Sequence, residues 1–220
     1  MATTLSFVRH GKTSMNKDKL WSGRTDCDLK EEGRAELLEM FNFTEEDFDV
    51  YYCSPLKRTK QTLDCIVQNQ SPIIDKRIIE RDFGDWEGKP YAIIDSETTE
   101  LYIQGKVQPP NGETYKEVEK RVISFVTDLF RQYSNCRILI VSHATVLRMV
   151  RDIFLPTMEK KPIKNSQMLV VTQDDFEGFL SRSNWFYLKK HNHNWLCFFR
   201  YSYKKLKLHR KIFALCSTFL

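Results

Sequence analysis

The 220-residue chain lacks long apolar runs; the strongest, residues 138–141, falls far short of the roughly 18 apolar residues a membrane span needs. Its N-terminus has no basic-then-apolar layout of the kind an export signal shows. A cytoplasmic protein with no membrane partner is expected. Histidine is scarce, at five residues, and the six cysteines contain no C-x-x-C pair, so neither a metal site nor a disulfide framework is predicted. The cysteines read as free thiols of a reducing compartment. Glycine is sparse too: no G-x-G-x-x-G stretch is present, and although Gly11-Lys12-Thr13 resembles the end of a P-loop, Ser6 stands where that loop needs its first glycine. Neither common nucleotide cradle is available, and no cofactor is expected.

Acidic residues are missing from one region. Residues 181–220 hold nine Lys and Arg and no Asp or Glu, together with ten of the 28 aromatic residues and three of the five histidines. Residues 1–180 therefore carry 25 basic and 29 acidic side chains, so the formal net charge of +5 comes from the tail. Such a tail, without a clean apolar face, has the composition that a shifted reading frame in AT-rich DNA would give, and it would pack poorly. Basic residues interleaved with aromatics can also hold single-stranded nucleic acid, a reading ranked lower, so no nucleic-acid partner is expected.

What remains has an ordinary globular balance, with 41% hydrophobic and 29% charged residues. Residues 5–8, 49–53, 73–75, 137–142 and 168–172 have the apolar, β-branched character of strands. Residues 29–43, 56–68, 113–133 and 144–154 have helical spacing or helix-start signals. Residues 80–112, with three of the seven prolines and four of the eight glycines, read as an irregular lid or substrate loop. Strands alternating with helices predict a three-layer α/β/α sandwich around a mostly parallel central sheet, whose ligands collect at the C-terminal strand ends. His10, Arg58, Glu80 and His143 all fall just past predicted strands.

Four blocks stand in order along this frame: Arg9-His10-Gly11 with Asn16; Ser54-Pro55-Leu56-Lys57-Arg58-Thr59; Glu80-Arg81-Asp82-Phe83-Gly84-Asp85-Trp86-Glu87-Gly88; and Ser142-His143. Together they resemble the histidine phosphatase superfamily, in the branch that includes phosphoglycerate mutases and many small phosphatases. Gly23, Asp26 and Leu29 before Gly33, and Pro110-Asn111-Gly112-Glu113-Thr114, look like that family's intermediate blocks. The resemblance covers about residues 4–175, which makes residues 1–180 the expected phosphatase domain and residues 181–220 an appendage of atypical composition.

The resemblance implies a phosphoglycerate mutase-like fold and a metal-independent phosphomonoester hydrolase. It assigns the nucleophile to His10, which would form a phosphohistidine that water then hydrolyses. Arg9 and Arg58 would grip the phosphoryl oxygens with forked contacts that Lys cannot copy. His143 would be a third donor, best when protonated. Glu80 would give a proton to the leaving alkoxide and later take one from water, a task for a carboxyl whose surroundings favour its protonated form; Asp82, Asp85 and Glu87 are nearby competitors for it. Asn16 would add an amide donor at the phosphate. Gly11, without a Cβ, would let the backbone approach the site. The residues from Phe83 to Gly88 look like the small broad-specificity and α-ribazole-type phosphatases, so hydrolysis of a small phosphorylated metabolite is favoured, with mutase-type phosphoryl transfer as the alternative. A module that only binds phospholigands would be expected to lack the nucleophile or an arginine, and both are present. Trp86 is expected to pack rather than to stack on substrate.

Overall fold

The structure, a computed structural model, describes residues 2–103 and 105–183. The chain divides into two units, Met1–Phe176 and Glu177–Leu220. Of the second, only residues 177–183 are described, as the end of the last described helix and the bend after it. The basic aromatic tail expected from residue 181 therefore lies, from residue 184 on, outside the described residues. No described helix is long and apolar enough to cross a membrane.

The first unit is organised by a five-stranded sheet in the order β3-β2-β4-β1-β5. Its strands are β1 (Thr4–Arg9), β2 (Val50–Cys53), β3 (Ile73–Ile74), β4 (Arg137–Ser142) and β5 (Met168–Thr172). The pairs β1–β4, β2–β4 and β2–β3 are parallel; β5 closes the edge antiparallel to β1. Side chains alternate across a strand, and the register sorts them into two apolar faces. On one face Val8, Tyr51, Cys53, Leu139 and Val141 pack with Leu37 and Phe41, from α2 (Glu31–Met40) and the residue that ends it, and with Leu63 and Ile66 of α3 (Lys57–Ile66). On the other, Phe7 and Tyr52 meet Phe125 of α5 (Tyr115–Gln132) edge-on, at ring separations of 6.5 and 5.4 Å, and α6 (Ala144–Phe154) lies against β1 and β5. Each fully buried Leu or Phe here contributes about 1.5–3 kcal/mol. The layers are those the sequence predicts.

Two loop regions differ from expectation. Ser14–Lys17 forms a one-turn helix, α1, started by a reciprocal pair of bonds between Thr13 and Asn16. Residues 80–112, expected as an irregular lid or substrate loop, are more regular than that. They hold 3₁₀ turns at Gly84–Trp86 and Tyr91–Ile93 and a helix, α4 (Ser96–Ile103), gathered around Trp21. Trp21 lies 4.9 Å from the Phe83 ring, 5.2 Å from Trp86 and 5.1 Å from Tyr102, which makes a second small core. The Arg81 guanidinium stacks 3.9 Å over the Tyr115 ring and 5.3 Å over Tyr102. Glycine and proline content pointed to irregular backbone here, but aromatic packing overrides it. Trp86 belongs to that packing, as expected. After β5 the chain turns into α7 (Gln173–Arg182), which the sequence reading did not mark.

Candidate active site

Register brings the site together. Arg9 pairs with Ser142 across β1 and β4, and Cys53 pairs with Val141 across β2 and β4, so these three strands end side by side. The residues immediately beyond, His10, His143 and Ser54, are therefore neighbours although up to 133 positions apart in sequence. The imidazoles of His10 and His143 face each other edge-on, with centroids 5.2 Å apart. Arg58 enters from the first turn of α3. Glu80 comes from the stretch that follows the 3₁₀ turn Lys76–Ile78. All five side chains, with Arg9 half-buried and the other four buried, act on one another's charge: Arg9 feels Glu80 and Arg58, and both histidines feel Arg58 and Arg9.

Each group is held by backbone or by a buried hydroxyl. His10 Nδ1 lies 2.8 Å from the Gly11 carbonyl oxygen. Arg58, with no exposed surface, donates from its two terminal nitrogens to the carbonyls of Gly23 at 2.8 Å and Thr25 at 2.9 Å, with Ser22 at 3.4 Å. Arg9 donates to the Ile163 carbonyl at 2.6 Å. The Glu80 carboxylate accepts from the N–H of Arg81 at 2.8 Å and of Thr145 at 3.4 Å. His143 Nε2 lies 2.7 Å from the Ser54 hydroxyl.

Burial, reinforced by Arg58 and Arg9 and only partly opposed by the bond to Gly11, pushes His10 well below the ordinary imidazole value. Burial beside Arg58, His10 and Arg9 does the same to His143. In the free site the arginines next to His143 therefore disfavour its protonated form. Burial also lowers the Arg9 guanidinium somewhat, against the attraction of Glu80.

The competitors of Glu80 are all engaged elsewhere. Asp82 accepts from the Gly84 N–H, and Asp85 accepts from the Asn111 amide. Glu87 accepts from the N–H groups of Gly23, Arg24, Thr25 and Phe83 and from the Thr25 hydroxyl. Burial alone would raise its carboxyl, but these donors outweigh it and hold the group below the usual range.

Gly11 and Asn16 have geometry that the sequence reading did not foresee. The Gly11 N–H donates to Thr62 Oγ1, and a Cβ there would lie 2.7 Å from Leu37 Cδ1 of α2. Across the same contact a Cβ on Gly33 would lie 2.5 Å from the Lys12 carbonyl oxygen. Gly11 is thus bare because α2 crosses it closely, and its carbonyl holds His10. The Asn16 amide oxygen accepts from the Thr13 N–H and from Asn165 Nδ2. Asn165, which sequence reasoning missed, also donates to the carbonyls of His10 and Gly11. It grips the turn that carries His10 from the far end of the chain, and no local pattern marks it.

Relatives share this frame. Phosphoserine phosphatase 1 of Hydrogenobacter thermophilus is 33% identical over 157 residues, covering 66% of this chain and 72% of that protein. The adenosylcobalamin/alpha-ribazole phosphatase of Escherichia coli is 31% identical over 156 residues, covering 66% and 76%. The crystal structure of phosphoglycerate mutase from Thermus thermophilus superposes with a TM-score of 0.63 at 24% identity, over 76% of this chain and 92% of that one, which shows the fold. With the sequence profile of the family matching residues 5–185, the chain belongs to the histidine phosphatase superfamily, branch 1.

Proposed function

We propose that this phosphomonoester hydrolase acts on a small phosphorylated metabolite, with Nε2 of His10 as the atom that takes the phosphoryl group. The observation that carries the assignment is the contact of His10 Nδ1 with the Gly11 carbonyl. A carbonyl oxygen only accepts, so Nδ1 holds the ring's proton and the lone pair stays on Nε2. A ring kept neutral by burial beside two arginines keeps that lone pair available.

The other roles follow from placement. Arg9 and Arg58 meet the charge that spreads over the phosphoryl oxygens in a loose transition state. Neutral His143 adds an N–H. Asn16 adds its amide nitrogen. As the ester P–O bond breaks and the P–N bond forms, Glu80 gives its proton to the leaving alkoxide. Water then attacks phosphorus, Glu80 takes the proton, and the P–N bond breaks to free His10 and inorganic phosphate. The relatives named above include a phosphoserine phosphatase and an adenosylcobalamin/alpha-ribazole phosphatase, which supports a phosphorylated metabolite as the substrate class here.

The test is phosphate release from p-nitrophenyl phosphate and a phosphomonoester panel that includes 3-phosphoglycerate, with EDTA present, for wild type and His10→Ala. Hydrolysis in the wild type that vanishes in the variant is expected. Turnover that survives in His10→Ala would overturn the nucleophile assignment, and transfer within phosphoglycerate much faster than release would favour the mutase alternative.

A further inference from the structure

We propose that Ser54 is a positioning residue: it donates its hydroxyl proton to Nε2 of His143 and so fixes the neutral ring in the form that carries its proton on Nδ1, the nitrogen offered to the phosphoryl group. This deepens the reading above, on which it rests for His143 as a phosphoryl donor.

Ser54 and His143 have no exposed surface, and their side chains meet at 2.7 Å through Nε2. The other ring nitrogen, Nδ1, is buried with no hydrogen-bond partner among the described residues. If Nε2 carried the proton, it would donate to Ser54, the serine O–H would be left without an acceptor, and a bare lone pair on Nδ1 would face an incoming phosphoryl oxygen. With the proton on Nδ1, the serine O–H is satisfied by Nε2, and the single group left over is an N–H donor awaiting an acceptor. The second arrangement strands fewer buried groups, and what it strands is complementary to an anion.

Tautomer is the relevant choice because the doubly protonated ring is disfavoured by the groups around it: Arg58 from α3, Arg9 and His10 from the end of β1, and Arg121 from α5. Glu80, held by the Thr145 N–H at the start of α6, is the acidic group nearby. Ser54 is itself well anchored. Its N–H donates to the Val141 carbonyl at 3.1 Å and its carbonyl accepts from the Thr59 hydroxyl at 2.9 Å, so the hydroxyl is delivered from a fixed backbone.

The experiment is ¹⁵N NMR of the full chain labelled at histidine, with His143 assigned by comparison with His143→Gln, together with kcat and KM for p-nitrophenyl phosphate across pH for wild type and Ser54→Ala. The wild-type spectrum is expected to show an unprotonated Nε2 and a protonated Nδ1. In Ser54→Ala the two tautomers are expected to mix, with kcat lowered about 10-fold or more, KM changed much less, and the pH profile displaced. A wild-type His143 protonated at Nε2 overturns the proposal whether or not the variant folds. So does a folded Ser54→Ala protein with tautomer and kcat unchanged. The tautomer is read in ligand-free protein, so surviving activity in His10→Ala would strike the phosphohistidine reading and leave this result standing.

Discussion

Acidification should unfold this protein by a route that the two site histidines set. Both rings are buried and held well below the ordinary imidazole value, by burial first and by Arg58 next. An unfolded chain protonates its histidines near pH 6.5, whereas the folded chain refuses these two protons until lower pH. Stability is therefore fully present above about pH 6.5 and falls as pH drops from there toward the folded-state values. While both folded rings stay neutral, each removes about 1.4 kcal/mol per pH unit once the pH is below about 6.5 and little above it, so the fall from pH 7.5 to 5.5 amounts to about 2.7 kcal/mol for the pair. With a urea dependence of about 2 kcal/mol per molar, the unfolding midpoint moves down by about 1.4 M. Glu87, held below the usual carboxylate range, titrates below this window. The assay is urea unfolding followed by circular dichroism at half-unit pH steps, for wild type, His10→Asn, His143→Gln and the double variant. These substitutions approximate the Nδ1 donor and the Nε2 acceptor of the two rings. Each single variant should remove about half of the slope and the double variant nearly all of it. A midpoint flat between pH 7.5 and 5.5, or a slope that survives in the double variant, would refute the account of the site as a place that excludes extra protons.

Arg58→Lys should lower kcat/KM for p-nitrophenyl phosphate by about 100-fold, because one ammonium cannot reach the Gly23 and Thr25 carbonyls and grip a phosphoryl group together; activity within about threefold of wild type would contradict the forked role. Gly33→Ala should destabilise the fold by about 1–3 kcal/mol in urea unfolding, since its Cβ would lie 2.5 Å from one backbone atom of Lys12 and 2.7 Å from another. An unchanged midpoint would show that α2 can retreat freely from the His10 turn.

What the sequence made legible follows a physical rule. The limits of β4, α6 and β5 agree with the sequence reading residue for residue: β4 and α6 are densely packed with apolar side chains, and β5 alternates buried Leu169 and Val171 with exposed Met168 and Val170. Helix α2 is shorter than the 29–43 expected: Leu29 bridges to Thr13, Lys30 is already extended, and Phe41 leaves the helix with ψ near 124°. Helix α5 begins at Tyr115 rather than residue 113 because Thr114 and Glu117 exchange bonds across its start. Helix α4 was hidden by its polar Ser-Glu-Thr-Thr-Glu opening, which carries little apolar rhythm. The residues that short sequence signatures singled out, Arg9, His10, Arg58, Glu80 and His143, lie close together in the structure. Those that act by bonding to backbone or to another side chain, Asn165 and the hydroxyl of Ser54, were not singled out. Nothing in a sequence says which carbonyl an asparagine 155 positions away will reach.

The loop at residues 22–25 answers a problem that any anion-binding pocket faces. A buried guanidinium ordinarily wants a carboxylate beside it, yet a carboxylate bonded to Arg58 would cancel the attraction that an incoming phosphate needs and would compete for the same hydrogens. Here the carbonyl ends of the loop's peptide groups point to Arg58 while N–H groups of Gly23, Arg24 and Thr25 point to Glu87. The two ions do not bond to each other, but the polarised peptide units between them balance both. Arg58 is thereby stabilised from behind by dipoles that leave its charge in place, like a magnet pole whose opposite lies out of sight, so the proposed site still presents a cation to an anion.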